Sequence, residues 1–143
     1  MLITEILKAK GDLVFTIAPD EKVSDAVALL HQRRVGALVV LDAHDKVVGI
    51  FSERDVVRTV AADGAAALSH SVEAVMTRDV IFAEQTETVD SLLSRMTDRR
   101  IRHLPVCEGE RLIGLISIGD LVKSKIAESV AEAQSLKQYI SAG

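Results

Sequence analysis

The chain has 143 residues, 48% of them hydrophobic, with a mean hydropathy of +0.25, enough to bury one core or two small cores packed on each other. A net charge of −4, a pI near 5.5 and 3% aromatic residues leave no basic field for a nucleic-acid backbone and little stacking surface for single strands, which excludes nucleic acid as a partner. No apolar run reaches the roughly 18 residues needed to cross a bilayer, the N-terminus lacks a basic-then-apolar signal pattern, and the single Cys107 has no internal disulfide partner, so a soluble, cytoplasmic protein without membrane insertion is expected.

In chain order, Leu2, Ile3, Ile6 and Leu7 predict a short helix that stops at Gly11. A strand at Val14–Ile17 runs into a turn at Pro19-Asp20. Val23, Ala26, Val27 and Leu30 then recur at i, i+3, i+4 and i+7, one face of an amphipathic helix ended by Arg33-Arg34. The β-branched run Val35–Leu41 reads as a buried strand, joined through a turn at Asp42–Lys46 to a second strand, Lys46–Phe51. Ser52 opens another helix, with Val56, Val57 and Val60 as its apolar face. Ala61–Ser71 is an Ala-rich linker with Gly64 as a helix stop, and Val72–Met76 forms a short helix.

The pattern then repeats. Displaced by 66 residues, Val14–Asp42 lies over Val80–Glu108, and past a one-residue gap Gly49–Arg58 lies over Gly114–Lys123. Identical residues pair in order: Val23 with Val89, Arg33 with Arg99, Gly49 with Gly114, Ser52 with Ser117, Asp55 with Asp120. The second copy carries the helix stripe Val89, Leu92, Leu93 and Met96 behind the N-cap Thr88, strands at Ile101–Cys107 and Arg111–Ile116, and a helix opened by Ser117 with Leu121, Val122 and Ile126. That helix continues without Gly or Pro from Asp120 to Ile140. Its apolar residues Ile126, Val130, Ala133, Leu136 and Ile140 need a cover, and a second subunit is the simplest. The expected fold is α+β: two tandem β-α-β-β-α units in residues 12–66 and 78–128, a linker helix in 67–77, a leading helix in 1–11 and a helical extension in 129–143.

Gly49-Ile-Phe-Ser52-Glu-Arg-Asp55 and Gly114-Leu-Ile-Ser117-Ile-Gly-Asp120 each lie where a strand becomes a helix. Ser-x-x-Asp there is a helix cap, the Ser oxygen accepting an orphan N–H and the Asp reaching back. The same geometry suits a nucleotide, because the helix start attracts phosphate and a carboxylate one turn in can hold two ribose hydroxyls.

With Thr16-Ile-Ala-Pro19, Arg34-Val35-Gly36-Ala37-Leu38-Val39-Val40 and Arg100-Ile101-Arg102-His103-Leu104-Pro105-Val106, these motifs resemble a tandem pair of CBS domains, a Bateman module, of the stand-alone bacterial type. The resemblance covers nearly the whole chain. It implies a pseudo-twofold pair with two clefts for adenosine nucleotides, and a homodimer. In one cleft Asp120 would hold the ribose and Ser117 the ribose or phosphate, with Val35, Gly36 and Ala37 along the adenine and Thr16 at the rim. Arg102 and His103 are candidates for the phosphate. The other cleft would use Asp55 and Ser52, the backbone of Ile101, Arg102 and His103, and Phe82 at its rim. Gly36-Ala37 faces Arg102-His103, so the clefts are expected to be unequal.

Arg33, Arg34, Arg99 and Arg100 read as helix caps that could also reach a phosphate. His31, His44 and His70 lack metal-ligand spacing and read as surface residues; no metal is expected. Cys107 reads as a core thiol. The leading functional expectation is a sensor of AMP, ADP, ATP or NAD(H) that signals to a separate effector protein. The alternative is an interaction or dimerisation module without a physiological ligand. An enzyme is disfavoured, because phosphate-binding Gly loops and a nucleophile-base set are missing from the sequence.

Overall fold

The computed structural model describes residues 2–11 and 14–142; the boundary expected at residue 12 and both terminal residues lie outside them. The order is α1 (Ile3–Lys10), β1 (Thr16–Ile17), α2 (Val23–Arg33), β2 (Ala37–Leu41), β3 (Val47–Ser52), α3 (Glu53–Asp63), a 3-10 helix (Gly64–Ser69) and α4 (Val72–Val75). The second half continues as β4 (Ala83–Glu84), α5 (Val89–Arg99), β5 (His103–Glu108), β6 (Arg111–Ser117) and α6 (Ile118–Ala142). Each half builds a three-stranded sheet in sequence order, its first two strands parallel and its last two a hairpin. The duplication reaches irregularities: both hairpins shift register at equivalent points, Val40/Leu41 and Val106/Cys107.

Several expected boundaries move, for a shared reason. β2 begins at Ala37 rather than Val35, and β5 at His103 rather than Ile101, because α2 and α5 end in left-handed Arg34 (φ 56°) and Arg100 (φ 54°). Val35 N–H then donates to Leu30 O and Ile101 N–H to Met96 O, closing the helix ends and turning the chain before pairing starts. The expected strand at Val14–Ile17 shrinks to Thr16–Ile17. Gly64 ends α3 at φ 63°, as its conformational freedom suggests.

β2 is buried on both faces, which explains its unbroken apolar run. Leu38 and Val40 join a core with Val23, Ala26, Leu30 and Phe51 from their own half. Ala37 and Val39 point the other way and join Ile50 in a cluster against which Leu112 and Leu115 of the second half pack. The first core is closed by Val72, Val75 and Met76 around α4. The second is closed by Ile3, Ile6 and Leu7 of α1, which crosses from the chain start to pack with Leu92, Leu104 and Leu121. The two short helices occupy matching places: a Cβ on Gly49 would meet Met76, and one on Gly114 would meet Leu7. These glycines permit the close approach.

The apolar face expected on α3 divides. Val56 packs against the first core, but Val57 is 69% and Val60 41% exposed, while Asp55 and Thr59 are the buried positions. α6 behaves alike. Leu121 is buried, whereas Val122, Ile126, Val130, Leu136, Tyr139 and Ile140 are exposed. Among the described residues, no helix is long and apolar enough to cross a membrane.

Candidate functional site

Hairpin register places Ala37 opposite Ser52 and His103 opposite Ser117. The residues before β2 and β5 therefore sit beside the Ser that opens the next helix. Glu53 N–H donates to Gly36 O at 3.0 Å and Ile118 N–H to Arg102 O at 2.8 Å. The first amide of each helix is thus already satisfied by the neighbouring strand.

Both Ser-x-x-Asp motifs form reciprocal caps. Ser52 N–H donates to Asp55 Oδ2 at 2.9 Å while Asp55 N–H donates to Ser52 Oγ at 3.4 Å. Ser117 N–H donates to Asp120 Oδ2 at 2.9 Å and Asp120 N–H to Ser117 Oγ at 3.1 Å. Beyond that the copies part. Asp55 is 2% exposed, and its Oδ1 accepts from Thr77 Oγ1 at 3.1 Å and pairs with Arg58 at 3.0 Å. Asp120 keeps a side-chain exposure of 24% and pairs with Lys10 Nζ, at the end of α1, at 2.6 Å. Lys10 Nζ also donates to Leu115 O at 2.8 Å.

Burial would raise the Asp120 carboxyl, but hydrogen bonds from Lys10 and Ser117 outweigh it and hold the group below the ordinary carboxylate value. His103 is half-buried, and desolvation lowers its imidazole, helped by Lys10 and Arg102 and opposed by Glu53 and Asp120. These five groups form one electrostatic cluster. A Cβ added at Gly36 would lie 3.3 Å from His103 Nε2 and 3.8 Å from Glu53 Cδ, so the start of β2 meets the start of β5. Arg54 Nη1, donating to Arg100 O at 2.9 Å, ties the same seam.

Of the expected site residues, the structure brings Gly36, Arg102, His103, Ser117 and Asp120 to this seam, with Val35 and Ala37 flanking Gly36 in the chain. Ser52 and Asp55 stand at the matching helix start of the first half. Thr16 lines a depression of about 520 Å³ with Glu21, Asp25 and Asp42. Val35 and Gly36 line another, of about 910 Å³, with Val27, Glu53, Val56 and Val57. Neither depression contains Ser117 or Asp120. Phe82 is 42% exposed, and its carbonyl accepts from Arg95 at 3.1 Å. Cys107, expected in the core, is only half-buried; desolvation first, then Glu84, raises its thiol. His31 and His44 are exposed, and half-buried His70 pairs with Asp63. Among the described residues, no group of three or more His, Cys, Asp or Glu is placed to hold a metal ion.

Sequence reasoning missed Lys10 and Thr77. Both partner the repeat carboxylates from outside the repeated motif. Nothing in the spacing pointed to them, because the contact depends on where α1 and α4 pack.

The CBS domain model matches residues 11–62 and 72–126. The CBS domain-containing protein CBSX3, mitochondrial, of Arabidopsis thaliana is 35% identical over 99% of this chain and 72% of its own length. The crystal structure of the CBS-domain containing protein ATU1752 from Agrobacterium tumefaciens superposes with a TM-score of 0.85 at 45% identity, covering 87% of this chain and 92% of that one. The CBS domain pair of MJ0100, solved in complex with 5′-methylthioadenosine and S-adenosyl-L-methionine, gives a TM-score of 0.80 at 25% identity over 90% of this chain and 98% of that one.

Proposed function

The chain belongs to the CBS-domain family as a tandem pair, and on that premise we propose that it is a regulatory sensor of adenine nucleotides, AMP, ADP, ATP or NAD(H), whose principal cleft lies at Ser117–Asp120. Asp120 accepts the ribose hydroxyls and Ser117 supports the ribose. Val35, Gly36 and Ala37 present backbone to the adenine, with Thr16 at the rim, and Arg102 and His103 serve the phosphate. The observation that carries this choice is the unequal fate of the two carboxylates: Asp55 is consumed by Ser52, Thr77 and Arg58 at 2% exposure, whereas Asp120 stays accessible beside cationic groups. The Asp55 cleft, with Ser52, the backbone of Ile101 and Phe82 at its rim, is the weaker site. MJ0100, with the same fold, has been solved with adenosine compounds.

The module needs no chemistry of its own. A ligand that binds one arrangement of the two halves better than another shifts their populations by that differential affinity, and an effector protein reads the result. The exposed apolar row along α6 supports a homodimer as the reading unit. Isothermal titration against AMP, ATP, NADH and S-adenosylmethionine tests the proposal. Saturable heat is expected with at least one adenine nucleotide, weakened roughly tenfold or more in Asp120→Ala, as the loss of a charged hydrogen-bond acceptor predicts. No heat and no thermal shift with any of them, after removal of ligand retained from expression, overturns it.

A further inference from the structure

The second cleft differs from the first by one group that the repeat does not encode. In the first half, Thr77 N–H donates to Ile50 O at 2.9 Å and Thr77 Oγ1 to Asp55 Oδ1 at 3.1 Å. In the second half, Leu115 O, the equivalent of Ile50 O, and Asp120 Oδ2, the oxygen that also caps Ser117 N–H, are both taken by Lys10 Nζ at 2.8 and 2.6 Å. A part-buried hydroxyl contact on one side corresponds to an ammonium with 35% side-chain exposure on the other. An ammonium carries three N–H donors, and two are engaged here, which leaves one for a further acceptor. A lysine in the last turn of a helix ordinarily serves that helix's own carbonyls. Lys10 instead reaches across to β6 and α6, because Ile3, Ile6 and Leu7 anchor α1 in the second core.

We infer that Lys10 is a specificity-determining residue of the Asp120 cleft, supplying the cation that selects phosphate-bearing adenine nucleotides over uncharged nucleosides. This rests on the nucleotide reading above. When ribose hydroxyls take Asp120, the ammonium gives up that acceptor, and a phosphate oxygen replaces it. An uncharged nucleoside removes the carboxylate from Lys10 and offers no anion in return. Arg102 and His103 stand in the same electrostatic cluster, so the phosphate meets their side-chain donors, which Gly36 and Ala37 lack, together with a Lys10 ammonium where the first half has only the Thr77 hydroxyl.

The test is the ratio of AMP to adenosine affinity in wild type, Lys10→Ala and Lys10→Arg, by isothermal titration at fixed ionic strength. Wild type should prefer AMP. Lys10→Ala should lose roughly tenfold or more of that preference, the scale of one charged hydrogen bond, with adenosine affinity unchanged or improved, and Lys10→Arg should restore most of it. In the ligand-free protein, an NMR titration of the Asp120 carboxyl should move upward in Lys10→Ala. A merely structural Lys10 would weaken both ligands equally or leave the ratio unchanged, and either result overturns the inference while leaving nucleotide binding intact. A wild-type protein that binds none of AMP, ATP, NADH, S-adenosylmethionine and adenosine fails the nucleotide reading itself, and this role of Lys10 falls with it; one that binds another adenine nucleotide but does not prefer AMP to adenosine overturns the role of Lys10 alone.

Discussion

Asp55 and Asp120 stand at matching points of the duplication, and both cap a helix, yet only Asp120 keeps part of its side chain exposed. The difference arises from what covers them: Thr77 and Arg58 seal the first, while the second meets the side chain of Lys10 at a half-exposed edge. His103 reports on that edge. Its depressed pKa, caused first by desolvation and then by Lys10, means that the folded state resists a proton the unfolded chain accepts near about 6.5. Its contribution to stability is intact above that value and lost as pH falls toward the lower folded value. Urea unfolding at pH 7.5 and 5.5 should therefore show a smaller loss of stability on acidification in His103→Gln than in wild type. Equal losses would mean that His103 is not held neutral. Lys10, Arg102, Glu53 and Asp120 are the charged groups that set its titration.

Among the elements, helix and strand identities follow from periodicity, and their ends do not. Of the stripes Val23/Ala26/Val27/Leu30 and Val89/Leu92/Leu93/Met96, Val27 and Leu93 are partly buried against the cores and the rest are buried. The strand starts were misplaced because left-handed Arg34 and Arg100 are not the Gly or Asn that usually announces such a turn. For α3 and α6 the apolar periodicity was present, but a stripe does not say whether it faces its own core or another chain. α6 is about 37 Å long at 1.5 Å per residue, and of its 25 residues Leu121 and Ser124 are the buried ones. If a second copy covers the row, the double variant Ile126→Glu, Val130→Glu should shift a sedimentation profile from dimer to monomer. Its thermal stability should change little at low protein concentration, since both residues are exposed within one chain (60% and 51%).

In the whole molecule, each half is completed by a helix from outside its repeat, α4 for the first and α1 for the second. Leu7 is 7% exposed and lies over Gly114. Leu7→Ala should cost about 2–5 kcal/mol, as for other large-to-small core changes, measured by urea unfolding. The same variant should loosen Lys10 and weaken ligand at the Asp120 cleft. A loss well below 1 kcal/mol would mean that α1 is a dispensable appendage. Val72 and Val75 play the corresponding part from α4.

Sequence by itself determined the duplication, the β-α-β-β-α order, the two Ser-x-x-Asp helix starts and their family, because these reside in local periodicity, capping chemistry and self-similarity along the chain. It also exposed the contrast of Gly36-Ala37 with Arg102-His103. Only the tertiary structure decided that Asp55 is sealed and Asp120 part-exposed, that α1 closes the distant half, and that Lys10 reaches Asp120. Those outcomes depend on contacts between residues as far apart as Lys10 and Asp120, set by which apolar faces find each other in space, and such pairings leave no period in the sequence.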